Sequence, residues 1–190
     1  FQDEYPLLIA TQESLSLVRN QLTSALNSDT SQGRPIAGID AAKWADSSAL
    51  SIARFRPNIV LRSSPGGAFA PFSEDSWERI WILPNEPSRS KAVLQLVARC
   101  QRCLLTAVDP ITAEKDPSVP LKLLNRSRMR VKKTASEGGN GRAGPCFGMY
   151  AIPLPLDTSA YGELSTGDSV KVRWRPYSTD DEPDRSHLPT

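Results

Sequence analysis

A chain of 190 residues and 20.8 kDa is the size of one ordinary domain, long enough to bury roughly two thirds of its unfolded surface without disulfide staples. Basic and acidic side chains number 23 and 21, a formal charge of +2, which gives no general electrostatic case for nucleic acid or an anionic membrane surface. The sequence holds no apolar run of about 18 residues that could span a bilayer, and its 3 cysteines do not make the framework of a secreted protein.

A reducing, intracellular compartment, cytoplasmic or mitochondrial, is therefore expected. The opening Phe1-Gln2-Asp3-Glu4-Tyr5 has neither a methionine nor a signal-peptide pattern, so the sequence reads as a fragment of a longer one. Sixteen prolines and 11 glycines point to many turns and a strand-rich fold.

Pro6 to Ala10 is an apolar run of buried-strand length, and Leu15, Val18, Leu22 and Ala25 then recur at helical spacing, with Thr11 or Ser14 as N-cap and an end near Asn27. Residues 28 to 53 form a long polar connection that Trp44 pins to the body. A buried strand starts at Asn58, with Pro57 at its edge. Further strands are expected at Arg79 to Leu83, Ala92 to Ala98, Leu104 to Val108, Phe147 to Ile152 and Ser169 to Trp174. Pro120 opens a short helix over Leu121 to Arg128. Residues 134 to 144 read as a Gly-rich loop and 176 to 190 as a polar tail holding His187, too far out to be catalytic. With no internal repeat and no strict alternation of strand and helix, one domain over residues 1 to 175 is expected, a mixed or mainly antiparallel β-barrel with peripheral helices (α+β).

Two clusters and one carboxylate carry the candidate chemistry. In Arg99-Cys100-Gln101-Arg102-Cys103, flanking guanidinium groups favour the thiolate form that binds metals. A structural zinc site wants four ligands, and only Cys146 and His187 remain to complete one. A redox dithiol belongs at a helix opening, whereas this pair precedes an expected strand. If the segment is extended, thiols three apart face opposite ways, so a single thiolate ligand for an already chelated soft metal is one reading. Two buried cysteines acting as small hydrophobes is the other. In Arg54-Phe55-Arg56-Pro57-Asn58, period two would put Arg54, Arg56 and Asn58 on one face, where forked hydrogen bonds suit a phosphate or a heteroatom-rich ring. Arginines salt-bridged to Glu74 or Asp75 are the alternative. Asp109, before Pro110, can orient a ring amide, donate a proton, or open a turn. Trp77 and Trp81 are most simply packing residues.

Taken in order, these segments resemble the MOSC family, whose branches include amidoxime reductases and molybdenum cofactor sulfurases. Tyr5-Pro6-Leu7-Leu8-Ile9 with the following helix is similar to the family's opening, and Arg54 to Val60 to its best-known signature. Glu74-Asp75-Ser76-Trp77, Cys100-Gln101-Arg102-Cys103 with Thr106, Val108, Asp109 and Pro110, Phe147-Gly148-Met149-Tyr150 and Gly167-Asp168-Ser169-Val170 resemble the later ones. The resemblance implies a MOSC-type β-barrel that holds molybdenum cofactor, the molybdopterin-bound metal, with Cys103 as metal ligand. Arg54, Arg56, Asn58 and Arg102 would lie near the pterin and its phosphate, and Asp109 would join Cys103 as a catalytic group. In the reductase branch a small N-hydroxylated substrate loses its oxygen, with electrons from cytochrome b5 and its NADH-dependent reductase; a membrane anchor would have to be encoded upstream. In the sulfurase branch the module is a non-catalytic carrier or sulfur-transfer domain. Four departures stand out: the β-domain that normally precedes the module is not in this sequence, residues 28 to 53 are longer than the usual connection, Leu83-Pro84 begins an insertion reaching Ser90, and Ala113 stands where a turn glycine is common.

Overall fold

The computed structural model describes residues 5–27, 36–67, 69–132, 143–156 and 161–176. Residues 134–142 of the expected Gly-rich loop, the tail from 177 with His187, and residues 28–35 of the long connection lie outside them, while Ala143 and Gly144, expected in that loop, are in a strand.

Strand β1 (Leu7–Thr11) runs directly into helix α1 (Gln12–Leu26). One residue makes the junction, because Thr11 is both the last strand residue and the helix cap, its Oγ1 accepting the Ser14 amide at 3.2 Å. Leu15, Val18 and Leu22 then bury one stripe, and the Asn27 amide closes the far end on the Thr23 carbonyl. The remaining strands are β2 (Ile59–Leu61), β3 (Trp77–Leu83), β4 (Ala92–Gln101), β5 (Met129–Lys132), β6 (Ala143–Leu154) and β7 (Ser169–Trp174), and α2 (Leu121–Ser127) is a second, short helix.

These strands form a curled half-barrel in the order β2-β1-β6-β4-β3-β7, with β5 paired to β6 off that path. Among the described strands only β1 and β2 pair in parallel; the other pairings are antiparallel. The fold is thus mainly β with peripheral helices, as the turn-rich composition and strand spacing lead one to expect. One face of the sheet buries Ile9, Ile80, Ile82, Leu94, Leu96 and Met149. The other packs Ala10, Phe55 and Phe147 against α1, α2 and Trp44.

Gly148 makes the exchange between the two faces. In a regular strand residues 147 and 149 share a side, yet Phe147 belongs to the helix-side core and Met149 to the opposite one. Gly148 sits between them at φ 79°, and a Cβ there would lie 2.7 Å from the Ile9 carbonyl oxygen. Only glycine tolerates both conditions. The kink lets Phe147 stack on Phe55 with ring centroids 3.8 Å apart, which ties β6 to the segment carrying Arg54.

One expected strand is not a strand. Leu104–Ala107 is a 3₁₀ turn, because the ladder between β4 and β6 ends where the Arg102 amide meets the Pro145 carbonyl; beyond that point β6 pairs with β5. The chain instead folds back, and both the amide and the hydroxyl of Thr106 bond the Cys103 carbonyl. Nor do Arg54, Arg56 and Asn58 share a strand face. Ser51 caps a 3₁₀ turn over Ile52–Phe55, and Arg56 closes it in the left-handed region at φ 52°. Arg54 is consequently buried while Arg56 and Asn58 are exposed. Strand β2 starts only at Ile59 and is half-buried, with Val60 facing out. Strand β5 was not expected, although Met129-Arg130-Val131-Lys132 does alternate.

Candidate functional site

Cys103 lies at the end of β4, with extended backbone, at the N-terminus of the Leu104–Ala107 turn. Its thiol is exposed, whereas Cys100 and Cys146 are buried. The opposite-face expectation for the pair 100 and 103 therefore matches the geometry: one thiol goes to the core and one to the surface. Burial pushes the Cys146 thiol up to about 12, which removes it as a nucleophile or ligand near neutral pH. Leu104 and Leu105, next to Cys103, are exposed by 65% and 48%.

The two arginines beside this turn point inward. The Arg102 Nη2 donates to the Phe55 carbonyl at 2.9 Å and its Nη1 to Cys100 Sγ at 2.7 Å. Arg54, 2% exposed, donates from Nη2 to Asp109 Oδ2 at 2.8 Å and from Nη1 to the Ala107 carbonyl at 3.3 Å. Its guanidinium also lies 5.4 Å from the Trp44 ring centroid, within cation–π range. Trp44 is anchored in turn, its Nε1 donating to Asp116 Oδ2 at 2.6 Å. Arg54 thus answers to Asp109 and not to Glu74 or Asp75.

Asp109 does two things at once. Its Oδ1 accepts the amides of Ile111 and Thr112, which builds the turn, while Oδ2 takes Arg54. Those two amides first, and Arg54 after them, hold its carboxyl below the usual carboxylate range against the opposing effect of burial. The group stays ionised at neutral pH, so it is an acceptor and a poor proton donor. In the loop that Asp109 opens, Ala113 takes φ 62°, a conformation a glycine would adopt at no cost.

Behind this frame is a polar cluster that sequence reading did not assemble. Asp75 Oδ2 accepts from Arg99 Nε at 2.9 Å and from Arg128 Nη2 at 2.6 Å. Arg128 also covers the Phe72 ring at 3.8 Å. Glu74 is fully buried between Ser14, whose hydroxyl donates to Oε1 at 2.6 Å, and Thr11. Burial raises its carboxyl to about 7. The separations in sequence, 53 residues between Asp75 and Arg128 and 60 between Ser14 and Glu74, leave no local signal for these contacts.

Asn58 ties β2 to β1, accepting the Leu8 amide on Oδ1 at 2.7 Å and donating its own amide to the Leu8 carbonyl. Of the six residues singled out from sequence, the structure gathers Arg54, Arg102, Cys103 and Asp109 around one turn. Arg56 adjoins it through Phe55. Asn58 sits two residues further on, at the sheet.

Among the described residues no three His, Cys, Asp or Glu side chains come together to hold a metal ion. A bare ion would find one thiol here. The donor set suits a metal that brings most of its own ligands and takes a single soft one from the protein. Among the described residues, too, no helix is long and apolar enough to cross a membrane.

Comparison with known proteins supplies the remaining finding. The family profile described as MOSC domain matches residues 1–171. The chain is 37% identical over 129 residues to a molybdenum cofactor sulfurase of Caenorhabditis elegans, an alignment covering 68% of this chain and 14% of the sulfurase. It is 38% identical over 117 residues to mitochondrial amidoxime-reducing component 1 of Mus musculus (61% and 28%) and 30% identical over 121 residues to component 2 of Bos taurus (64% and 30%). The chain thus spans less than a third of the length of the curated relatives it matches.

Proposed function

Because this chain belongs to the MOSC domain family, we propose that it holds molybdenum cofactor, with Cys103 supplying the one protein thiolate to the metal. Cofactor binding is the general role of that family. The observation that carries the reading is the contrast between thiols: Cys103 alone among the described cysteines is exposed, at the head of a turn braced from both sides. When bound, the cofactor supplies a metal centre able to accept oxygen from a substrate and to be recharged by electrons. This chain's part is to present the sulfur, to place positive charge near an anionic pterin phosphate through exposed Arg56, and to keep Asp109 as a fixed acceptor beside the turn. Asn58 holds the Arg56 segment against β1.

In the fuller form of the proposal the domain serves a reductase of N-hydroxylated small molecules. Cytochrome b5 and an NADH-dependent cytochrome b5 reductase would supply electrons, as separate proteins. The 37% identity to a sulfurase favours a second reading, in which the module carries the cofactor or receives sulfur without reducing a substrate.

The test is metal content after expression in a host that makes the cofactor. Wild type and Cys100→Ser should carry about one molybdenum per chain and Cys103→Ser almost none, since a soft metal discriminates strongly between thiolate and hydroxyl. Equal molybdenum in wild type and Cys103→Ser, read by elemental analysis, contradicts the assignment. Amidoxime-dependent NADH oxidation with cytochrome b5 and its reductase then separates the two readings.

A further inference from the structure

The arginines of the candidate site make a reciprocal brace. Arg102, at the end of β4, reaches across to the carbonyl of Phe55; Arg54, the residue before Phe55, reaches back to Ala107 and Asp109. Two segments, 54–55 and 102–109, are therefore joined by charged donors running in opposite directions, so neither can slide along the other without breaking both sets. Cys103 lies inside the second segment. Its backbone is fixed on one side by the bond from the Arg102 amide to the Pro145 carbonyl, at 2.7 Å, and on the other by Thr106, whose Oγ1 donates to the Cys103 carbonyl at 2.6 Å.

Burial separates the arginines by task. The Arg54 side chain is 3% exposed, and the Nε atoms of both Arg54 and Arg102 are buried without a hydrogen-bond partner among the described residues. The Arg54 guanidinium so placed holds internal acceptors and has no open edge for an external anion, while that of half-buried Arg102 is spent on Phe55 and Cys100. Arg56 is the opposite case: exposed, and in a left-handed conformation that turns its backbone away from the buried turn.

We propose that Arg54 and Arg102 are positioning residues that lock the Cys103 thiol at the surface. The proposal rests on the cofactor reading for what Cys103 binds, but the brace itself is a property of the chain without cofactor.

The experiment uses the whole cofactor-free chain and compares wild type, Arg54→Met, Arg54→Lys, Asp109→Asn and the double variant Arg54→Met/Asp109→Asn. Two quantities are read: amide hydrogen exchange at Arg102, Thr106 and Val108, and the rate at which iodoacetamide labels Cys103. Arg54→Met should raise exchange at Thr106 and Val108 by about tenfold, as a local opening, and change the labelling rate. Exchange at Ile80 and Leu94 in the sheet should stay as in wild type. Asp109→Asn keeps an oxygen for the Ile111 and Thr112 amides but sets an amide nitrogen against Arg54, so it should move the same two quantities in the same direction. The double variant should add little to the larger single effect. Arg54→Lys, with one nitrogen for two acceptors, should rescue only part.

Unchanged exchange and labelling in Arg54→Met, together with loss of molybdenum after cofactor loading, would make Arg54 a direct ligand contact and overturn the brace. Should Arg54→Met fail to fold, Asp109→Asn decides from the less buried end: wild-type values there contradict the proposal. A chain that never retains molybdenum, yet shows the exchange pattern above, would remove the cofactor reading and leave the brace standing.

Discussion

Strand β4 has two halves that are held in different ways. From Ala92 to Leu96 it packs apolar side chains against Ile80 and Ile82 of β3 in a regular ladder. From Arg99 onward its side chains are polar or sulfur-bearing, and Arg99 with Arg102, just past the strand, bonds Asp75, Cys100 and the Phe55 carbonyl. The first half is non-directional, and its strength follows the area buried. The second depends on a few donors and acceptors with fixed geometry, where removing one partner strands the others. A surface thiol that must stay in one place is served by the second kind of interior, because direction, and not only burial, is specified there.

The largest effects should come from breaking each half at its centre. Asp75→Asn leaves the guanidinium groups of Arg99 and Arg128 facing a neutral amide, and removing one member of a buried charged cluster costs about 3–5 kcal/mol. Leu94→Ala, in the apolar half, costs about 2–5 kcal/mol through lost transfer and the cavity left behind. Denaturant unfolding should thus show losses of the same order, while only Asp75→Asn should also weaken retention of molybdenum at a temperature where both variants are folded. Equal loss of metal in the two would mean that the site senses overall stability and not the polar half in particular.

The next effect is a pH dependence confined to the polar half. Glu74 has its carboxyl raised from 4.5 to about 7, chiefly by burial. A group raised in the folded state contributes its stability in full below the unfolded value and loses it as pH climbs through the folded one. Wild type should therefore lose stability between about pH 5 and pH 8, and a shift of this size corresponds to about 3 kcal/mol. Glu74→Gln, which cannot ionise, should flatten that slope and be the more stable of the two above pH 7. Parallel slopes in melting experiments on both proteins would show that Glu74 is ionised when folded.

The smallest effect sharpens the division between arginines. Arg56 stands at φ 52°, so Arg56→Gly should be more stable than Arg56→Ala by about 1 kcal/mol, the cost a Cβ incurs in the left-handed region. Both should lose cofactor to the same extent, since both lack the guanidinium. Retention by either variant equal to wild type would take Arg56 out of the site.

Legibility in the sequence follows the same division. The helix Gln12–Leu26 and the strand Ser169–Trp174 emerge from periodicity alone, because each turns one face to the core, and its apolar residues record that face. Leu104-Leu105-Thr106-Ala107-Val108 has the composition of a buried strand yet is a turn with two exposed leucines. What decides it is the end of a ladder on β6, a fact located some 40 residues away in the chain. Arg54 and Arg56 were expected side by side on a strand; a serine cap at Ser51 and a left-handed Arg56 send one inward and the other outward. The sequence therefore names the residues that gather at the turn, while their division into buried struts and surface groups is not legible in it, because partners such as Asp109 and Trp44 are fixed only by the fold.

The central claim, that Cys103 is the thiol that takes the metal, is tested most directly by mapping alkylation with and without molybdenum cofactor bound. Native protein treated briefly with iodoacetamide and digested for mass spectrometry should show one modified cysteine in the cofactor-free chain, Cys103, since Cys100 and Cys146 are buried. In the cofactor-loaded protein Cys103 should be protected and the other two remain unmodified. Equal labelling of Cys103 in the loaded and cofactor-free proteins would contradict the account.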